Sequence, residues 1–121
     1  MNPLLNGYGD LYAYFLINLL MDIDIDQVFL EMQTKVKGMD PIQAKMKFKM
    51  DKHVFLIDGT GNENIVSQED IEADCTVRTD VKTFQKMKSG NMDAIAALLI
   101  GKINIEGSMG LAFKLRSLIE R

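Results

Sequence analysis

The sequence predicts an α+β domain, on three observations. From Gln43 to Met50, the apolar residues Ala44, Met46, Phe48 and Met50 alternate with Lys45, Lys47 and Lys49, the period-two signature of a strand. On either side of that strand, apolar residues recur at helical spacing, as in Val28, Phe29, Met32 and Val36, or Val81, Phe84 and Met87. Near the end, the segment from Gly101 to Leu115 joins a short alternating strand to an amphipathic helix through Gly107 and Gly110. At 121 residues, with 47% hydrophobic and 26% charged side chains, the chain is expected to form one domain over 1–121. That length buries a core without disulfides or a structural metal.

Taken in order, Asn6-Gly7-Tyr8-Gly9 reads as a loop, and Asp10 as the N-cap of a helix reaching about Met21. Leu11, Tyr12, Phe15, Leu16, Leu19 and Leu20 form its main face, and Tyr14 and Ile17 make it apolar nearly all round. Such a helix is buried or packs on a partner. A second helix is expected from Asp24 or Asp26 to Lys37-Gly38. The strand over Gln43–Met50 should show one wet face. Asp51-Lys52 then turns the chain into a second strand, His53 to Asp58. After the turn cluster Gly59-Thr60-Gly61-Asn62, a weaker strand over Asn64–Ser67 completes a meander.

The acidic stretch Glu69 to Asp74 marks a loop or crossing segment, and Cys75 to Arg78 a short strand. Asp80 caps a helix that stops at Ser89-Gly90, and a second short helix runs from about Asp93 to Ile100. Lys102 to Glu106 is the last strand. Ser108 caps the final helix, whose Leu111, Ala112, Leu115, Leu118 and Ile119 share a face.

The net charge of −3 argues against broad binding to a nucleic-acid backbone. The charge is uneven: residues 1–81 hold 7 basic and 14 acidic side chains, a balance of −7, and residues 82–121 hold 7 and 3, a balance of +4. The basic half suits a transient contact with an anionic membrane surface, and the plainer reading is two differently solvated faces. Cys75 is the only cysteine, which excludes an internal disulfide and fits a reducing compartment. The start has no basic region of a secretory signal, and the apolar run from Leu11 to Met21 falls short of the roughly 20 residues a membrane span needs. A cytoplasmic location is expected.

Nothing in the sequence assembles a reaction. His53 is the sole histidine, so a Cys–His nucleophilic pair would require it beside Cys75, and a zinc site would lack ligands. Gly101, Gly107 and Gly110 form neither a dinucleotide fingerprint nor a phosphate loop, and read instead as turns and close backbone approaches. No catalytic residue, metal or cofactor is expected. The nine methionines are a positive signal, because Met re-packs around ligands of different shape. Met46, Met50 and Met87 read as core filling, and Met92 and Met109 as candidates for a cavity mouth.

With Ala73-Asp74-Cys75-Thr76-Val77, then Lys88-Ser89-Gly90-Asn91-Met92-Asp93, then the Gly101–Leu115 segment, roughly the last two-thirds of the chain resembles the sterol carrier protein family of non-specific lipid-transfer domains. Ala94 stands where that family often has proline, and the chain ends Leu118-Ile119-Glu120-Arg121 rather than in a Ser-Lys-Leu type peroxisomal address. The resemblance implies a mixed, mostly antiparallel five-stranded sheet with helices packed on one face, enclosing an apolar tunnel for a sterol, fatty acid or acyl-CoA. The expected function is non-catalytic carriage of such a lipid. One wall is expected from the strand residues Met46, Phe48, Phe55, Ile57, Val77, Ile103 and Ile105, and the other from the helix beginning at Ser108 and the segment from Asp93 to Ile100. The expected lipid-binding residues are Phe84, Met92, Ile95, Leu99, Ile103, Ile105, Met109, Leu111, Ala112 and Leu115. The expected partners are the lipid and a second copy of the chain, covering the apolar first helix. The alternative is a protein-interaction or dimerisation module whose cavity is vestigial.

Overall fold

The alternation at Met46, Phe48 and Met50 organises the structure, a computed structural model that describes residues 7–116. These three side chains are essentially fully buried on one face of strand β1 (Lys45–Met50). β1 pairs antiparallel with β2 (His53–Asp58), which places Met46 opposite Ile57 and Phe48 opposite Phe55. The two-residue turn between them is made by Asp51-Lys52, with Asp51 at φ 54°, a left-handed conformation that Asp tolerates better than most residues. Strand β3 (Ile65–Ser67) pairs with β2, antiparallel, and completes the meander.

Strand β4 (Cys75–Thr79) returns along the other edge of β1 in parallel, and β5 (Asn104–Gly107) pairs antiparallel with β4. The sheet order is β3-β2-β1-β4-β5, with only the β1–β4 pairing parallel. One face therefore carries Met46, Phe48, Phe55, Ile57, Val66, Cys75, Val77 and Ile105, a continuous apolar surface. Burying each large side chain there contributes about 1.5–3 kcal/mol.

The opposite face was expected to be wet. Instead Lys47 is only 8% exposed, because the acidic stretch crosses that face. The Lys47 ammonium donates to Asp70 Oδ1 at 2.9 Å and to the Ile71 carbonyl at 2.7 Å, while its methylenes lie under the crossing segment. Lys49 reaches the second Asp70 oxygen at 3.3 Å.

Helix α1 (Gly7–Lys37) corrects the expectation of a loop at 7–9, a cap at Asp10 and two separate helices. Asp22, Asp24 and Asp26 suggested an interruption, but no glycine or proline lies between residues 10 and 37. Aspartate inside a helix costs at most about 0.7 kcal/mol relative to alanine, against about 3 for proline. The chain divides into two compact units, 1–31 and 32–121. In the first, Tyr12 and Leu16, one helical turn apart, are exposed. The side chains of Leu11, Tyr14, Phe15, Ile17, Leu19 and Leu20 lie outside the described set.

In the second unit, Met32 and Val36 from the end of α1 are buried. The buried Asn64 side chain closes that helix end. Its amide donates to the carbonyls of Val36, Met39 and Asp40, and its oxygen accepts from the Ile42 N–H.

Helix α2 (Val81–Lys88) begins at Asp80, whose carboxylate accepts from the Thr83 N–H. It buries Val81, Phe84 and Met87. Helix α3 (Ala94–Leu99) is capped by Asp93 in the same way, and α4 (Met109–Lys114) by Ser108. Leu118 and Ile119, expected on the face of this last helix, lie outside the described residues. β5 starts two residues later than expected. The Lys102 and Ile103 N–H groups turn back to the Ala97 carbonyl, and the Thr79 hydroxyl donates to the Lys102 carbonyl, so 102–103 close the end of α3 before pairing begins. Among the described residues, no helix is long and apolar enough to cross a membrane.

Candidate functional site

The apolar face of the sheet is covered on its β1–β4–β5 side by α3 and α4, and a cleft lies between them. The sheet side supplies Met46, Val77, Ile103 and Ile105. Ala94, Ile95 and Leu98 line it from α3, and Ala112 and Phe113 from α4, with Leu115 and Arg116 just beyond that helix. The cavity volume is about 30 Å³, enough for little more than a water. A cleft so lined offers dispersion and burial to an apolar ligand.

Two backbone devices place α4 over the sheet. Asp74 binds the start of β1 through both its backbone N–H and its carboxylate, which meet the carbonyl and N–H of Lys45. Its carbonyl accepts from Ser108 N–H at 2.9 Å. Gly107, the last residue of β5 before the Ser108 cap, has φ +87°, and a β-carbon there would collide with that same Asp74 carbonyl. Only glycine allows β5 to end this close to β4 and turn directly into α4.

Arg116 is the charged member of the described lining. Its Nη2 lies 2.6 Å from Asp93 Oδ1, while the other Asp93 oxygen accepts from Ala96 N–H and caps α3. The start of α3 and the end of α4 thus meet at the edge of the cleft through two side chains, both partly in water.

Of the ten residues expected to bind lipid, the structure brings five to this cleft: Ile95, Ile103, Ile105, Ala112 and Leu115. Phe84 is buried in the packing of α2 instead. Met92 is half-buried in the turn before α3, and Leu111 is half-buried on α4 without lining the cleft. Leu99 is 80% exposed and Met109 is 44% exposed, so neither lies inside it. Helical spacing from Ile95 allowed either Leu98 or Leu99, and the structure selects Leu98. Ala94, Leu98, Phe113 and Arg116 line the cleft without being among the ten, although the segment 93–100 and the helix from Ser108 were expected to form this wall. A signal for Arg116 was present, since it stands one turn after Ala112 and so shares its face.

A second concavity, open and polar, has a volume of about 530 Å³ and includes Lys49, Asp51, Arg78, Asp80, Lys102 and Asn104. Four of its charged side chains serve the fold. Arg78 pairs with Glu106, Lys49 with Asp70, and Asp51 and Asp80 hold the first N–H groups of α2.

No Cys–His pair forms. Cys75 lies across from Met46 and His53 across from Met50, at opposite ends of β1, about 13 Å apart along the strand. Burial pushes the Cys75 thiol up from its ordinary value, away from the reactive thiolate. Among the described residues, no group of three or more His, Cys, Asp or Glu side chains converges as a metal site would require.

Comparison with known proteins agrees with this architecture. Residues 25–120 match the model of the SCP-2 sterol transfer family, and the chain belongs to that family. Human sterol carrier protein 2 is 36% identical over 58 residues, which is 48% of this chain and 11% of that protein, so the chain spans only a small part of this relative. Among solved structures, the crystal structure of sterol carrier protein 2 like 2 from Aedes aegypti superposes with a TM-score of 0.64 at 18% identity, covering 81% of this chain and 98% of that one. Aedes aegypti sterol carrier protein-2, solved in complex with the C16 fatty acid palmitate, gives 0.62 at 20% identity, covering 78% and 92%. These likenesses establish the fold.

Proposed function

We propose that residues 1–121 form one lipid-binding domain that carries an apolar lipid, without catalysis, in the cleft between α3, α4 and the sheet. The observation that carries this reading is the cleft's lining, apolar from three sides with one cation at its edge. The Aedes aegypti protein of the same fold holds palmitate, and a long acyl chain is the ligand class assigned here. At roughly 0.8 kcal/mol per buried methylene, such a chain supplies ample driving force. Pockets for organic ligands run to roughly 300–1,000 Å³, so the cleft has to widen on uptake. The short helix α4, which buries none of its own residues, is the element that yields. Native mass spectrometry of freshly purified protein tests the reading. The expected result is a co-purified lipid adduct, or uptake of added fatty acid in a 1:1 ratio.

The proposal includes loading at an anionic membrane surface. Leu99, Ile100, Met109 and Phe113 are exposed on or beside the two helices that flank the cleft, and residues 82–121 carry a balance of +4. Apolar tips flanked by lysines bind anionic bilayers better than neutral ones. Sedimentation with phosphatidylserine vesicles should therefore exceed that with phosphatidylcholine vesicles. A cytoplasmic location, where Cys75 stays reduced, accompanies this reading.

A second reading, an interaction or dimerisation module with a vestigial cavity, is favoured by the exposed Tyr12 and Leu16 and by the small cavity. A homodimer through α1 is compatible with both readings. Analytical ultracentrifugation tests it, with a clean 13.7 kDa monomer at micromolar concentration counting against it. Saturable lipid uptake separates the carrier from the vestigial module.

A further inference from the structure

We propose that Arg116 is the head-group site of the cleft and that it selects long-chain carboxylates over neutral lipids of the same length. The inference rests on the lipid-cleft reading and goes beyond it by naming the ligand's polar end. Arg116 lines the cleft while its guanidinium meets a carboxylate oxygen of Asp93 at 2.6 Å. The site already binds a carboxylate, and that carboxylate belongs to a side chain whose other oxygen is engaged as the cap of α3.

Asp93 Oδ1 is therefore exchangeable. Losing it leaves the cap on Oδ2, and an ion pair with both side chains about half in water contributes little to stability. A planar guanidinium binds a carboxylate with directed, charge-assisted hydrogen bonds. A fatty acid whose chain lies along Met46, Val77 and Ile105 would bring its carboxylate to the cleft's edge and take the place of Asp93. A sterol, alcohol or ester offers no charge for that exchange, and it leaves Arg116 on Asp93.

Competitive displacement of Nile red, a neutral fluorophore, by dodecanoate and by 1-dodecanol tests this. In the unaltered protein, dodecanoate should bind about tenfold more tightly than dodecanol, as a charge-assisted contact implies. Arg116→Met should remove that preference, bringing the ratio of the two affinities to about one. Asp93→Asn keeps the cap, since Asn serves as well as Asp there, but removes the competing charge. It should tighten dodecanoate a few-fold and leave dodecanol as it was. Equal affinities in the unaltered protein, or an equal loss for both ligands in Arg116→Met, overturn the proposal while leaving the lipid cleft standing. No displacement by either ligand overturns both.

Discussion

The backbone carbonyl of Asp74 stands in clashing contact with the position a β-carbon on Gly107 would take, and it accepts the Ser108 N–H at 2.9 Å. Through this contact the start of β4 fixes the end of β5 and the entry into α4. Any side chain at Gly107 has to displace backbone rather than a flexible neighbour, and it meets a left-handed φ as well. Gly107→Ala should lower stability by about 1–3 kcal/mol or more, in line with the cost of enforced backbone strain. Thermal denaturation checks this, and Gly61→Ala, where an added carbon meets nothing, serves as the control. Equal melting temperatures for the two variants would count against the close approach.

Asn64 uses both ends of its amide on the chain between α1 and β1. Removing the side chain leaves the Ile42 N–H and several carbonyls without it, and each buried orphan costs about 1–3 kcal/mol. Asn64→Ala should be strongly destabilising in urea denaturation. Asn64→Asp should be worse than a size argument predicts, because a carboxylate offers only acceptors to three carbonyls. If Asn64→Asp unfolds at the same urea concentration as the unaltered protein, the hydrogen-bond account of this corner is wrong.

Four carboxylates are held below their ordinary range: Asp70 by hydrogen bonds from Lys47 and Lys49, Asp58 by Thr60, Asp80 by the Thr83 N–H, and Glu106 by Arg78. A depressed folded-state value means the unfolded chain binds the proton more tightly. Their stabilisation is therefore fully present above the unfolded values near 3.8 to 4.5, and is lost as pH falls through the lower folded values. Melting temperature should hold from pH 7 to about 5 and fall below about 4. Asp70→Asn should melt lower at pH 7 and lose less on acidification. An unchanged acid slope in that variant would remove Asp70 from the account.

Much of the fold was legible because its signals are local. Alternation marked β1, the Asp51-Lys52 turn placed β2 after it, and Asp80 and Ser108 each cap the helix they were expected to cap. The single α1 was not legible, since Asp22, Asp24 and Asp26 look like caps unless the absence of any true helix breaker is weighed against them. The burial of Lys47 was also hidden. It depends on Asp70 and Ile71, more than 20 residues away, crossing a face that its lysines mark as wet. In the cleft, the sheet residues followed from period two. On α3 the choice between Leu98 and Leu99 depended on how that helix rolls against the sheet, and no spacing within the helix records that.

Substitutions in the cleft separate lining from core. Leu115 is fully buried, and Leu115→Ala should cost about 2–5 kcal/mol if it packs like a core leucine. Part of its surroundings is cavity, so a loss near the lower end is expected. Ala112 is half-buried on the lining, and Ala112→Phe should fill the cleft and abolish lipid uptake at a cost of about 1–3 kcal/mol of overpacking. Circular dichroism with a lipid-uptake assay reads both effects. A folded Ala112→Phe protein that takes up lipid normally would place the lipid elsewhere.

If the cleft under α3 and α4 takes a long-chain lipid, equilibrium titration with a fluorescent fatty acid will show it. Saturable one-site binding is expected in the low micromolar range or tighter, about −8 kcal/mol, displaced by unlabelled acyl chains. Titration without saturation, repeated with acyl-CoA and sterol probes, would contradict it.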